Sequence, residues 1–260
     1  MLGEADPPDG DLLGGRGLHY SHGPTPALVG VSVGAAAKEI LAVTGPRGSG
    51  KTTLLRCLSG QLTPDEGQVR YDDFDVYALP VARRERMRLE HFGWIDPKPE
   101  LVPELSVWEN AALPLLLAGA THREAKRRAG EWLDRLDAGD LGRARPRALT
   151  AAQAQRVCIA RALVMEPAVL FADEPTAALH RAEGVRVLRT LVAAARSHSI
   201  TTVLASHDAE AHELADRTVT LVDGRRTGPG VPTPAESAEG AAEDSTGGSS
   251  ETEDSCSLSV

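Results

Sequence analysis

The chain has 260 residues, 42% hydrophobic and 25% charged, which fits one soluble globular domain; aromatics at 3% leave Leu, Val, Ile and Ala to build its core. The net charge of −9 is lopsided, because Gly228 to Val260 holds seven acids and no Lys or Arg; the acidic balance argues against broad nucleic-acid binding. Three cysteines without metal spacing argue against a disulfide framework, and no run reaches the roughly 18 apolar residues of a membrane span.

In chain order, residues 1–16 are rich in Gly, Pro and Asp and are expected to be a flexible N-terminus with no signal-peptide pattern. From His19 to Val33, turn residues mix with β-branched ones, as in short antiparallel strands. EILAVTG (39–45) is a compact apolar run that reads as a buried strand, and GPRGSGKTTLLRCLSG then passes from a Gly-rich loop into a helix ending at Gly60. QVRYDD (68–73) and FGWID (92–96) read as strands, while Arg83–Leu89 is charged and takes no assignment. Ser106–Leu117 reads as a helix, and Thr121 caps a second one in which Ala125, Ala129, Trp132, Leu133 and Leu136 share one face. With the helix Ala151–Met165, these interrupt an α/β alternation and suggest an inserted helical lobe over about 99–165. AVLFAD (168–173) is a buried strand, Ala182–His198 a crossover helix, ITTVLASHD (200–208) a further strand, and RTVTLVDGRR (217–226) closes a domain over 17–226. The composition of 227–260 cannot bury a core and predicts a disordered acidic tail.

GPRGSGKT (45–52) fits the phosphate-loop pattern G-x-x-x-x-G-K-[ST], and its predicted strand and helix are the context that pattern requires. Gly45, Gly48 and Gly50 let backbone N–H groups wrap a polyphosphate, with Pro46 and Arg47 completing the loop and a helix N-terminus adding positive potential. Lys51 would reach the terminal phosphates, Thr52 would set its hydroxyl on Mg²⁺, and Ser49 and Thr53 add donors. The strand AVLFAD delivers Asp173 and Glu174 at its C-terminal end, where an open α/β sheet binds ligands. Asp173 suits Mg²⁺, and Glu174 suits a general base or a group that polarises the attacking water. His207 ends the next strand, whose tip should point at the same site.

These elements, in this order, resemble the ATP-binding subunits of ABC transporters over about Leu18 to Arg226, through GPRGSGKTTLL, QRVCIARAL, VLFADEPTAAL and LASHD. No NKxD points to a GTPase, and no coiled-coil heptads lie between the motifs. Within the family, LVPELSVWENAALPLLLAG and ADEPTAAL are most similar to the branch holding lipoprotein-release, macrolide-export and FtsE-type ATPases. The resemblance implies an α/β P-loop NTPase with a mostly parallel core sheet, an antiparallel β subdomain and the helical lobe. It implies ATP and Mg²⁺ as ligands, an integral-membrane permease as partner, and a place on the inner face of the cell membrane. It also implies a second ATP-binding subunit, identical or different, in a head-to-tail sandwich where each ATP lies between one phosphate loop and the other signature segment. By the same resemblance Tyr20 stacks on adenine, Glu174 and His207 are catalytic, Thr52 and Asp173 hold the metal, and Thr150 and Gln153 belong to the signature.

Three motifs depart from the family. The signature LSGGQ is LTAAQ here, so Ala151 and Ala152 add Cβ atoms; a left-handed backbone at either would cost about 1–2 kcal/mol, a helical one only bulk. The Gln that ends the strand before the lobe is Pro97, with Asp96 beside it expected to face the other way, and the loop Asp after the two acids is His180. The expected function is an ATPase subunit powering a separate permease of exporter type. The alternatives are a regulatory ATP-binding subunit with little turnover or the degenerate half of an asymmetric pair.

Overall fold

A computed structural model describes residues 11–227. The elements in order are β1 (Leu13–His22), β2 (Thr25–Ala35), β3 (Ile40–Thr44), α1 (Lys51–Leu58), β4 (Glu66–Tyr71), β5 (Phe74–Asp75), α2 (Val81–His91), β6 (Phe92–Ile95) and α3 (Val107–Leu117). There follow α4 (His122–Arg135), α5 (Ala151–Leu163), β7 (Val169–Asp173), α6 (Arg181–Ser197), β8 (Thr201–Ala205), α7 (Ala209–Leu214), β9 (Arg217–Val222) and β10 (Arg225–Thr227).

Two sheets form. The larger has the order β10-β9-β3-β8-β7-β6. It is parallel from β9 to β6, and β10 adds an antiparallel edge. The smaller, antiparallel sheet has the order β2-β1-β4-β5. Every residue of β3, β7 and β8 is buried, as expected of parallel strands covered on both faces. The alternation along β7 shows how the faces divide. Leu170 and Ala172 join an apolar cluster with α3, α4, α5 and α6, whereas Val169 and Phe171 join one with α1 and the antiparallel sheet. Asp173 continues the second parity, so its carboxyl emerges on the face where α1 lies.

Helices of the lobe begin where the sequence supplies caps. Ser106 and Glu109 form a capping box on α3, and the Thr121 hydroxyl accepts the Glu124 N–H on α4. Ala125, Ala129, Trp132, Leu133 and Leu136 are all buried. Their cluster is continuous with the sheet face and α6, so the lobe shares a core with the α/β body.

Several boundaries differ from the sequence expectation. The strand β1 begins at Leu13, inside the stretch expected to be flexible, because Leu13 and Leu18 are buried and residues 13–15 pair with both β2 and β4. Glycines at 14, 15 and 17 disguised it; its pairing with β2 is regular over 13–15 and shifts register between Gly15 and Ser21. The unassigned charged stretch is α2, which buries only Met87 and carries an Arg86–Glu90 ion pair of 2.8 Å on its exposed side. The closing segment is a hairpin, turning at Asp223 and Gly224, and it runs one residue beyond the expected boundary, to Thr227. Residues 1–10 and the expected tail from Gly228 lie outside the described residues.

Candidate nucleotide site

The strands β3, β8 and β7 are neighbours and parallel, so the segments leaving their C-terminal ends gather at one edge of the sheet. After β3 the chain makes the loop 45–50 and enters α1. Gly50 caps this helix at φ 100°, and an added Cβ would stand 2.4 Å from the Ala27 carbonyl, so only glycine fits. The first intrahelical bond of α1 runs from Leu54 N–H to Gly50 O at 2.8 Å, so the N–H groups of Lys51, Thr52 and Thr53 precede the helical ladder.

The Lys51 side chain is 5% exposed. Its ammonium donates to the carbonyls of Gly45 (2.8 Å) and Pro46 (3.0 Å) and lies 3.5 Å from Glu174 Oε1. The Thr52 hydroxyl donates to Asp173 Oδ1 at 3.0 Å, which joins the loop to the end of β7. Burial raises the Asp173 carboxyl above its ordinary pKa; the bond from Thr52 opposes this and the Glu174 charge adds to it. Glu174 has a left-handed backbone, φ 45°, and its N–H donates to Ala205 O of β8 at 2.9 Å. That turn brings Glu174 Oε2 to 2.7 Å from His207 Nδ1. One carboxylate thus lies between the loop lysine and the strand-end histidine, a geometry no single motif shows alone.

These groups border a cavity of about 480 Å³ whose lining includes Arg47, Lys51, Thr52, Thr53, Glu174 and His207. Three features fit a polyphosphate: the buried ammonium, the helix N-terminus with no acid in its first turn, and Gly48, where an added Cβ would meet nothing within 4 Å. The Ser49 hydroxyl is buried and has no hydrogen-bond partner among the described residues. Thr52 and Asp173 offer the hydroxyl and carboxylate oxygens that suit Mg²⁺.

Other expected residues stand elsewhere. Tyr20 packs part-buried against the cluster beneath β1 and does not line the cavity. His22, two residues on, does line it, with Nε2 3.2 Å from Thr53 Oγ1 and its ring edge-on to Tyr20 at 5.0 Å. The sequence offered no sign of this beyond the i, i+2 spacing, nor of Pro26, Ala27 and Ala177, which share the lining. Pro97 lines the cavity without offering a donor, and Asp96 instead accepts the Trp94 indole N–H at 2.8 Å. His180 is exposed at the N-cap of α6 and lies outside the lining.

LTAAQ opens α5. The Gln153 N–H donates to the Thr150 hydroxyl at 3.3 Å and the Thr150 N–H to Gln153 Oε1 at 2.9 Å, a closed capping box. Ala151 and Ala152 are the first helical residues and neither has positive φ, so of the two possible costs only bulk applies. Neither Thr150 nor Gln153 lines this chain's own cavity.

Comparison with known proteins identifies the family. The family described as ABC transporter matches residues 28–177. The lipoprotein-releasing system ATP-binding protein LolD 2 of Caulobacter vibrioides is 38% identical over 217 residues, covering 82% of this chain and 95% of that one. A dimeric post-hydrolysis structure of the ATP-binding cassette MJ0796, bound to ADP and Pi, superposes with TM-score 0.76 at 28% identity, covering 83% of this chain and 97% of that one. CbiO1 from Clostridium perfringens, part of the ABC transporter complex cbiONQ, superposes with TM-score 0.77 at 27% identity, covering 90% and 92% of the two chains. The chain belongs to the ABC transporter family, as one of its ATP-binding ATPase subunits.

Proposed function

We propose that this chain hydrolyses ATP to power a separate membrane-embedded permease of the exporter or lipid-extraction type, working from the inner membrane face. The observation that carries the reading is the convergence of Lys51, Glu174 and His207 on one cavity beside a helix N-terminus. Among the described residues no helix is long and apolar enough to cross a membrane, so the translocation path would belong to another subunit. The similarity to LolD 2, a lipoprotein-releasing ATPase subunit, favours export over import.

In this reading the N–H groups ahead of Leu54 and the Lys51 ammonium hold the β- and γ-phosphates. Glu174 orients the attacking water and accepts its proton, and His207, hydrogen-bonded to Glu174, reaches the γ-phosphate. Mg²⁺ would be held by the Thr52 hydroxyl and Asp173, and would supply neutralisation of phosphate charge when bound. Comparing ATP turnover by the wild type and Glu174→Gln tests the assignment. Turnover should fall by about 100-fold or more with ATP still bound, as for loss of a general base. Equal turnover would remove Glu174 from the chemistry.

A second reading rests on the interface positions. Pro97 brings no polar side chain to the cavity wall, His180 stands where the family has an acid, and the Thr150 and Gln153 side chains each accept the other residue's backbone N–H. These favour an asymmetric pair, in which this chain's phosphate loop meets an intact signature and its own signature forms the weaker site. A regulatory subunit with little turnover is the limiting case. Dimerisation and hydrolysis by the purified chain alone, as fast as with any partner ATPase, would rule the asymmetric pair out.

A further inference from the structure

The β9–β10 hairpin turns at Asp223 (φ 48°) and Gly224 (φ 72°), the two left-handed residues of a tight two-residue hairpin. This turn is wedged between the phosphate loop and β2. The Gly224 N–H donates to the Ser49 carbonyl at 3.2 Å, and the Gly224 carbonyl accepts the Val29 N–H at 2.8 Å. An added Cβ at Gly224 would stand 2.8 Å from the Ala27 carbonyl. That same carbonyl is the one against which Gly50 packs, and Ala27 and Gly50 both line the cavity. On β9, the Leu221 carbonyl abuts Gly45, where an added Cβ would lie 2.0 Å away. Farther along the hairpin, Arg226 Nη1 donates to Ser32 O at 3.1 Å, fastening β10 to β2.

The consequence follows from peptide geometry. The Ser49 carbonyl and the Gly50 N–H belong to one planar trans unit, so they point in opposite directions. Holding the carbonyl on Gly224 turns the Gly50 N–H away from the hairpin. We infer that the Asp223–Gly224 turn is a positioning element for the phosphate loop, setting the orientation of the 49–50 peptide, and with it a phosphate donor, from outside the cavity. Gly224 itself does not line the cavity and touches no reacting group. The inference rests on the reading of 45–53 as the nucleotide loop.

The test measures ATP affinity and thermal unfolding in Gly224→Ala, Gly224→Asn, Asp223→Gly and Leu133→Ala. Both Gly224 variants should weaken ATP binding by about tenfold or more, the loss of one or two charge-assisted hydrogen bonds. Asn tolerates the left-handed backbone, so Gly224→Asn isolates the contact with Ala27 from backbone strain. Asp223→Gly keeps the turn and should keep the affinity. Leu133→Ala, in the other apolar cluster, lowers stability without moving ATP affinity, which separates positioning from general weakening. In the wild type, ATP should slow amide exchange in peptides spanning 219–227 together with those spanning 45–53. Unchanged affinity in a folded Gly224→Ala chain, or protection of 45–53 alone, overturns the inference. Unchanged affinity in Lys51→Ala would instead overturn the nucleotide-loop reading beneath it.

Discussion

Replacing both signature alanines with glycine, Ala151→Gly with Ala152→Gly, restores the family pattern and should destabilise this chain. Both residues are helical, the opening positions of α5 behind the Thr150 cap. A glycine at each loses about 0.5–1 kcal/mol of helix propensity. The Ala152 side chain is 5% exposed and packs in the lobe cluster, so removing its methyl adds about 0.8 kcal/mol. The sum is about 2 kcal/mol, or about 4–8 °C in melting temperature for a domain of this size. Urea and thermal unfolding of the nucleotide-free double variant measure it. ATP affinity of the isolated chain should stay unchanged, because neither residue lines the cavity. A double variant as stable as the parent, or more so, would refute the reasoning, since it would mean that one of these positions carries backbone strain in the native chain.

Asp173→Asn should raise the stability of the nucleotide-free chain near neutral pH while weakening Mg²⁺-dependent ATP binding. Burial raises the Asp173 carboxyl above its unfolded value, so this group's contribution to stability is complete below the unfolded pKa and is lost as pH rises through the folded one. The gain from Asn is therefore largest at neutral pH and shrinks as pH falls through the carboxylate range; a gain that grew toward acid would contradict this, and unfolding followed from pH 4 to 8 distinguishes them. Deleting residues 228–260 should leave ATP affinity unchanged, because among the described residues the cavity is lined from His22 to His207 and the tail's acids would repel a polyphosphate. A titration of the truncated chain showing weakened binding would assign the tail a role in the site.

How far the site could be read from the sequence depended on how local its causes are. The loop 45–53 and the strand carrying Asp173 are legible because short patterns dictate them: glycines at 45 and 50 where side chains cannot fit, and the four apolar residues Val169–Ala172, buried on both faces, ahead of the acid. Even the side of the sheet on which Asp173 emerges follows from its parity with Val169 and Phe171. What stayed hidden depends on contacts between distant segments. The strand β1 is held by pairing with β4, more than 40 residues away in sequence, and its glycines masked it. The helix α2 buries one residue of eleven, so no apolar periodicity announced it. His22 enters the lining through the path of β1 over α1, and the Gly224 contact joins segments more than 170 residues apart. The departures LTAAQ, Pro97 and His180 were visible as letters, and so was the helix that starts at Ala151; the structure adds that neither alanine has positive φ, which decides between strain and bulk.

The central claim is that ATP is held by the loop 45–53 through Lys51, and equilibrium binding of ATP with Mg²⁺ to the wild type and to Lys51→Ala tests it most directly, with thermal unfolding to verify that both chains are folded. The account predicts measurable binding by the wild type and an affinity lower by about 100-fold or more in the variant, the loss of a buried charge-assisted contact to phosphate. A folded Lys51→Ala chain that binds ATP as tightly as the wild type would contradict it.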